Sequence, residues 1–576
     1  MAFQLSPGVL VTEKDLTTVV PAVATTAGAF AGEFAWGAAN VATLVTSENE
    51  LASLFGKPDA NTYLSFFTAA NFLGYGNQLY VNRVVGTLAK NAIVSGNLDA
   101  NASVTADLIL NDDHFLGLTA PNNSFVSAEH PGALGNSLGV LIVDNGNWAN
   151  VSSSYQAIFD IQPNASTYAQ TFGTGNTRDE LHIAVLDEDG LISGTKGTVL
   201  EKFQYLSKAS DAVDLNGRSI YYKNVLTEQS SYLRWRGHPT VGTNWNTAIT
   251  GSLGNTAISY DLLTAPYANV LSLSGGVDSS PTGGAVAAGY ELFVNDEIYD
   301  ISLVPTGDLT GANARSVVNN LAEVRKDCVV FISPEYADVQ PNQSDSTKTT
   351  NVTGFRTTDL TNLSSSYAVM DSGWKYQYDR YNDVYRWIPL NGDIAGLCAR
   401  TDFVADAWFS PAGLNRGQIK NVVKLAFNPN KSQRDILYKA GVNPVISSPG
   451  TGTILFGDKT LLSRPSAFDR INVRRLFIVL EKAIAIAAKS QLFEFNDEFS
   501  RAQFRNLVEP FLRDVRGRRG LTDFKVVCDT TNNTPEVIDR NEFVADIYVK
   551  PARSINFITL NFIATRTGIS FEELTA

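Results

Sequence analysis

The chain has 576 residues, 44% of them hydrophobic and 18% charged. That composition supports packed cores and excludes an intrinsically disordered polymer, and the length alone suggests about four domains. The net charge is −13 and the pI near 4.9, the wrong sign for a protein whose main task is gripping nucleic acid. The acidity is uneven. From Lys459 to Lys525 there are 14 basic and 8 acidic residues, a net of +6, and residues 526–576 carry −3, which leaves −16 on residues 1–458. One short basic island therefore sits on an acidic molecule.

The N-terminus, "MAFQLSPGVLVTEKD", has neither the basic n-region nor the apolar h-region of a secretion signal. Pro7 and Gly8 argue against a long strand before Val9, so Val9, Leu10 and Val11 belong to a short extended arm. Residues 23–34 read as a small-residue strand. Residues 47–56 read as a short helix with Ser47 as N-cap and Glu50 three residues on, the spacing of a capping box. An apolar helix over 63–76, ended by Gly74, and a strand over 77–86 complete an α/β opening. From about 91 to 350 the texture changes to Asn, Ser, Thr, Gly and Asp. Short β-like runs at 138–145, 180–190 and 289–304, with a loop at 272–284, predict a β-rich region of two lobes. Residues 327–334 read as a buried strand returning to the α/β core. After the polar stretch 340–351 the α/β texture resumes. Apolar stripes predict helices over 472–493 and 504–520. Pro510 removes a backbone donor, so the second helix should kink or start late. Strands are predicted at 524–529 and 543–552. The apolar runs are too short or too interrupted to span a bilayer, so no membrane insertion is expected.

Motifs for chemistry fail on spacing. "GTGTILFGDKT" (450–460) superficially resembles a phosphate loop. A P-loop needs Gly-Lys-Ser/Thr in succession, whereas Asp458 separates Gly457 from Lys459 and puts a negative charge where phosphate would sit. The histidines, 114, 130, 182 and 238, show no ligand spacing and read as surface or loop residues. The acidic "DEDG" (187–190) lacks EF-hand spacing and reads as a solvated turn. No nucleophile–base pair stands out, so no catalytic residue, metal or cofactor is expected. Cys328, Cys398 and Cys528 lie far apart, are odd in number, and read as buried fillers of a reducing compartment. The aromatics of "GWKYQYDRYNDVYRWIP" (373–389) alternate as on a β-hairpin face; basic residues among them would also suit stacking on single-stranded nucleic acid, but the acidic surroundings favour the hairpin.

The last segment, "RSINFITLNFIATRTGISFEELTA", is dominated by β-branched and aromatic side chains from Ile555 to Ile563. Ile558, Leu560 and Phe562 would face one side of a strand, and Ile555, Phe557 and Ile563 the other. A strand with two partly apolar faces and no following sequence either tucks into its own domain or is donated to a neighbouring copy.

Several segments resemble the tail sheath proteins of contractile-tailed bacteriophages. They are "SPGVLVTEKD" at the start, then "TAGAFAGEFAWGAAN", "LVTSENELASLFG" and "LYVNRVV". Farther on come "AGLCARTDFVADAWFSPAGLNRG", "AGVNPVIS", "TILFGDKTLL", "INVRRLFIVLEKAI" and "VEPFLRDVRGRRGLTDFKVVCD". They occur in family order over about 26–90 and 355–552; Lys459 replaces the family's arginine, and "FEFND" (493–497) stands where Glu-Pro-Asn is common. The resemblance implies an α+β and α/β multidomain fold: an α/β sheath core with β-rich inserted outer domains and N- and C-terminal strand arms. Expected boundaries are an arm at 1–22, a core of 23–90 plus 351–458, lobes at 91–205 and 206–350, a tube-proximal domain at 459–552, and an arm at 553–576. It implies a structural, non-enzymatic subunit of the virion tail, assembled in the host cytoplasm as stacked hexameric rings. Its partners would be sister copies, the tail tube protein, and baseplate and tail terminator proteins, without direct nucleic-acid contact. The arms would lend strands to neighbours, which favours donation of the final strand. Arg513, Arg516, Arg518 and Arg519 either contact the tube or a neighbour or simply end a solvated helix. Alternatives are the sheath of a non-viral contractile injection system and, in a different class, a host-glycan-binding or depolymerase virion protein.

Overall fold

The computed structural model describes residues 25–94, 108–118, 125–173, 178–235, 237–238, 244–250, 258–264, 267, 269–361 and 363–556. The expected N-terminal arm, with Val9, Leu10 and Val11, lies outside them. So do Phe557, Ile558, Leu560, Phe562 and Ile563.

The core is a seven-stranded sheet. In spatial order its strands are Val442–Asn443, Ala368–Asp371, Val329–Ile332, Leu303–Pro305, Gly28–Gly32, Leu79–Arg83 and Ala42–Val45. All neighbours are parallel except the last pair, an antiparallel edge. Strands covered on both faces read as unbroken apolar runs, and "VVFI" and "GAFAG" are buried throughout. Helix Asn391–Val404 packs on helix Tyr63–Leu73 and against the middle strands. Its first ten residues, except Arg400, are buried nearly continuously, so it carries no amphipathic stripe. Gly392 permits the approach: a Cβ there would lie 2.4 Å from the Thr68 carbonyl oxygen.

The region between these core segments differs from the sequence expectation. Strands on both sides of residue 205 form one antiparallel seven-stranded sheet: Thr198–Ser207, Glu180–Asp187, Leu138–Asp144, Leu271–Ser274, Ile93–Val94, Val126–Ala128 and Leu233–Trp235. The expected division into lobes 91–205 and 206–350 is thus not how the strands pair. Pairings such as Val126↔Trp235 and Leu271↔Val140 join residues far apart in the chain, which local sequence texture does not encode. From about 283 onward the chain is back in the core, supplying Leu303–Pro305 and the buried Tyr290 and Phe293. The predicted strand over 289–304 begins as helix and ends as strand: helix Gly283–Gly289 runs into a 3₁₀ turn, Tyr290–Phe293, and only at Leu303 does strand Leu303–Pro305 begin. Tyr290 and Phe293 are three residues apart, a helical rather than strand spacing.

Two helices, Ile471–Lys489 and Glu498–Gly517, cover the strand pair Leu521–Val527 and Asp546–Pro551. Their own core includes Trp408, Leu476, Phe504, Val508 and Leu512. Glu498–Gly517 begins earlier than expected because Asp497 caps it, accepting from the Ser500 amide at 2.8 Å, and it passes through Pro510. At residues 47–56 Ser47 accepts from the Glu50 amide, but Glu50 returns its carboxylate to the Thr46 amide and hydroxyl rather than to Ser47; the reciprocal bond of a capping box is displaced by one residue.

Candidate assembly surfaces

The aromatic segment is a hairpin, Trp374–Asp379 against Val384–Pro389, with Tyr376 opposite Trp387 and Tyr378 opposite Tyr385. Asp379 closes its turn by accepting from the Tyr381 and Asn382 amides. Lys375, on the opposite face, is fully buried against Asp393.

Segment 450–460 is a structural turn. Strands Val445–Ser448 and Gly452–Leu455 pair, and Asn443 accepts from the Lys459 amide at 2.7 Å. The Lys459 ammonium donates to the Tyr438 carbonyl at 2.7 Å and lies 4.2 Å from the centre of that ring. Burial, then the neighbouring Arg470, lowers its pKa. Asp458 accepts from Arg470 at 3.0 Å and from the Ser554 hydroxyl at 2.8 Å. The Lys459 amide and ammonium, the donors a phosphate would use, are both engaged within the chain.

The Ser554 bond concerns the C-terminal arm. After Asp546–Pro551 the chain runs past the Asp458–Arg470 pair, where the Asn556 amide oxygen, turned toward Arg470, accepts at 2.7 and 3.0 Å. Ile555 is 82% exposed. The strand pair Leu521–Val527 and Asp546–Pro551 is two-stranded, and among the described residues neither outer edge meets another strand. Such a pair is marginal alone and here leans on Glu498–Gly517.

The basic helix end is exposed, but its arginines are not equivalent. Arg518 pairs with Asp406 at 2.7 Å and Asp514 at 3.0 Å, and lies over Trp408. Arg516 lies over Phe524 at 5.6 Å, and Arg513 reaches Glu509 only at 4.0 Å. Arg519 has φ +68 and no side-chain partner among the described residues. Arg518 is therefore tied to its own chain, while Arg513, Arg516 and Arg519 keep charge to offer. Sequence reasoning missed the adjoining apolar tip: Leu492, Phe493, Phe495 and Phe499 are all strongly exposed. The signal was present in "QLFEFNDEF", where aromatics cluster without the period of a buried face.

Other expectations need correction or sharpening. His182 is buried in strand Glu180–Asp187 rather than on the surface. Its Nδ1 accepts from the Tyr205 amide at 3.0 Å, so Nε2 carries the proton donated to the Ile161 carbonyl at 2.9 Å. Burial lowers its pKa. His130 is largely buried against Trp36, its pKa lowered to about 3 by burial and then by Arg83 and Arg234. The "DEDG" turn is not wholly solvated: Asp187 is buried and accepts from the Gly190, Ile192 and Ser193 amides. Burial raises its pKa, but bonds from Ser137, Ser193 and Ile192 outweigh it and the net shift is downward. The three cysteines are free and buried. Among the described residues no carboxylate, histidine and cysteine group could hold a metal ion, and no helix is long and apolar enough to cross a membrane.

A parallel-sheet body, an inserted antiparallel sheet and a small two-helix domain whose strand pair lacks neighbours define a multidomain structural subunit. Residues 293–461 match the phage tail sheath protein central domain, and residues 463–565 the phage tail sheath C-terminal domain. The chain is 35% identical to the tail sheath protein of Enterobacteria phage T4 and 34% identical to that of Vibrio phage KVP40, in each case over 99% of both chains. It is 31% identical to the tail sheath protein of Salmonella phage ViI, over 100% of this chain and 98% of that one. The fold is similar to the sheath tail protein of Desulfitobacterium hafniense (TM-score 0.52, 11% identity, 94% and 100% covered) and to that of Listeria innocua (TM-score 0.52, 12% identity, 92% and 96% covered). The chain belongs to the phage tail sheath proteins and is a structural subunit of a contractile tail sheath.

Proposed function

We propose that the chain polymerises as stacked hexameric rings around a tail tube, and that its arms, about 1–22 and 553–576, lend strands to neighbouring copies. Baseplate and terminator proteins bound the polymer at its ends, and contraction drives the tube through the host envelope. The observation that carries the reading is the strand pair Leu521–Val527 with Asp546–Pro551. Its two outer edges are unpaired among the described residues, and such edges accept added strands. A segment rich in Ile and Phe follows directly in the sequence. No nucleotide is needed if the energy is stored between subunits that have two packings. The phage origin of the relatives supports a virion rather than a non-viral injection device. Arg513, Arg516 and Arg519 would face the tube or a neighbour's acidic surface.

Truncation tests this. A cut at Lys550 would also remove the Ala552 amide bond to Gly520 and the Ser554 bond to Asp458; a cut after Asn556 keeps both. The chain ending at Asn556 should stay folded by circular dichroism yet form no striated hollow cylinders in electron micrographs, whereas the full chain should form them. Normal cylinders from the truncated chain would refute strand donation.

A further inference from the structure

An open groove of about 440 Å³ lies between the aromatic hairpin and helix Tyr63–Leu73. Its walls are aromatic. Tyr336 packs 5.2 Å from Trp374 and 6.0 Å from Trp387, and Tyr63 and Tyr385 complete the lining. Two carboxylates, Asp308 and Glu335, also line it, and neither receives a hydrogen bond or ion pair from another described residue. The one cation in the lining, Arg386, already pairs with Asp379 at 2.8 Å and lies 4.4 Å from the Tyr63 ring centre. The groove therefore holds two negative charges without counterions among electron-rich rings. Burial raises the Asp308 pKa, and burial, then the charge of Glu335, raises that of nearby Asp338. Rings of this hairpin already hold a cation: the Lys424 ammonium lies 4.9 Å from Tyr376 and 5.6 Å from Trp387.

The complementary group is also present. Arg464, Lys489, Arg519 and Lys525 are exposed and make no side-chain hydrogen bond or ion pair among the described residues. All four belong to the +6 island between Lys459 and Lys525. We propose that the groove between the hairpin and helix Tyr63–Leu73 receives a guanidinium or ammonium side chain from the basic 459–525 surface of a second copy of this chain. Aromatic faces and carboxylates together suit a desolvated cation, and pairing an acidic body with a basic island fixes which surfaces meet. A hexose would stack on the same rings but would leave both charges uncompensated. The choice of partner rests on the sheath reading; the chemistry of the groove does not.

Two measurements on the full chain test this. Below its polymerisation threshold, tryptophan fluorescence is titrated with arginine amide. A saturable change is expected, lost in Trp387→Leu and in the double variant Asp308→Asn with Glu335→Gln, with none for methyl glucoside. No saturable response to arginine amide, or a saturable response to the glucoside lost in the same variants, overturns the cation site. Sedimentation then gives the polymerisation threshold, which should rise about tenfold in the double variant and become less sensitive to salt. Wild-type tubes with an unchanged threshold in the variant overturn the second copy as occupant. Absence of tubes from the wild-type chain refutes the sheath reading instead, and the arginine amide titration still decides the groove.

Discussion

Replacing Lys375 should damage the core more than its position on a surface hairpin suggests. Its side chain is 0% exposed and that of its partner, Asp393, 1%; they meet at 2.9 Å. Lys375 also donates to the Lys420 carbonyl at 3.1 Å. Tyr75 donates to Asp393 at 3.0 Å and accepts from the Lys420 amide at 2.6 Å. The cluster pins the hairpin at once to helix Asn391–Val404 and to Tyr75, just beyond helix Tyr63–Leu73. Burial pushes the Lys375 pKa down and the Asp393 pKa up, so each charge persists only because the other is there. Lys375→Met leaves a carboxylate without a counterion in the interior, at a cost of about 3–5 kcal/mol. For a cooperative unit of about 150–250 residues, that lowers the melting temperature by about 6–20 °C. Adding Asp393→Asn removes the stranded charge while keeping an acceptor for Tyr75, so the double variant should recover half or more of the loss; the unpaired Lys420 carbonyl accounts for the rest. Differential scanning calorimetry of the chain ending at Asn556 reads both. If the double variant melts no higher than Lys375→Met, the buried charge is not the cause.

Three further changes have defined outcomes. Gly392→Ala forces apart helices Asn391–Val404 and Tyr63–Leu73, because the new methyl meets the Thr68 backbone oxygen; about 1–3 kcal/mol of overpacking strain is expected, and an unchanged melting temperature would contradict the contact. His130 titrates near 6.5 unfolded but at about 3 folded. The unfolded chain therefore binds the extra proton between those values, and stability falls as pH drops from about 6.5 toward 3. His130→Phe keeps a ring on Trp36 and should flatten that slope in urea titrations followed by tryptophan fluorescence; an identical slope would exclude His130 as its source. Reversing Arg513, Arg516 and Arg519 to Glu should abolish extended-sheath assembly at low salt without changing the circular dichroism spectrum. Arg518→Glu should instead lower thermal stability, because it loses Asp406, Asp514 and Trp408. Unchanged assembly and salt sensitivity in the triple variant would dismiss the contact.

Local patterns were legible where the signal was local. Alternating rings with a polar turn gave the hairpin, a continuous apolar run gave Val329–Ile332, and the strand expected over 77–86 is Leu79–Arg83. Long-range pairing was not. The antiparallel sheet joins Val126–Ala128 to Leu233–Trp235 and Leu138–Asp144 to Leu271–Ser274, and nothing near any of these strands names its partner. Residues 289–304 misled because aromatic and β-branched residues among polar neighbours suit a strand, although Tyr290 and Phe293 have helical spacing and Thr282, upstream, accepts from the Ala285 amide and starts a helix. His182 looked like a surface residue because one histidine carries no periodicity. For the assembly surfaces, the sequence disclosed charge and apolar content but not which charges were already engaged. Arg518 and Arg519 are neighbours of one type, and only their surroundings distinguish them.

That distinction bears on contraction. A subunit that changes neighbours must keep its own bodies intact while contacts between copies are exchanged. Buried pairs hold the subunit together: Lys208 with Asp144 in the antiparallel sheet, Lys375 with Asp393 in the core, and Arg475 with Asp402 between helix Ile471–Lys489 and core helix Asn391–Val404. Such pairs add little net stability, but breaking one is costly, so they penalise internal rearrangement. Contacts at the exposed arginines are made in or near water, where an ion pair contributes about 0–1 kcal/mol. Each can be exchanged without a large barrier, and many repeated along a sheath can still bias one packing over another. Higher salt should therefore shift the extended sheath toward the contracted form while leaving the melting of isolated subunits nearly unchanged. Electron microscopy of sheaths and calorimetry of the chain ending at Asn556, in matched salt series, would separate the two effects. Equal salt dependence in both would mean that the exchangeable charges are not at the surfaces between copies.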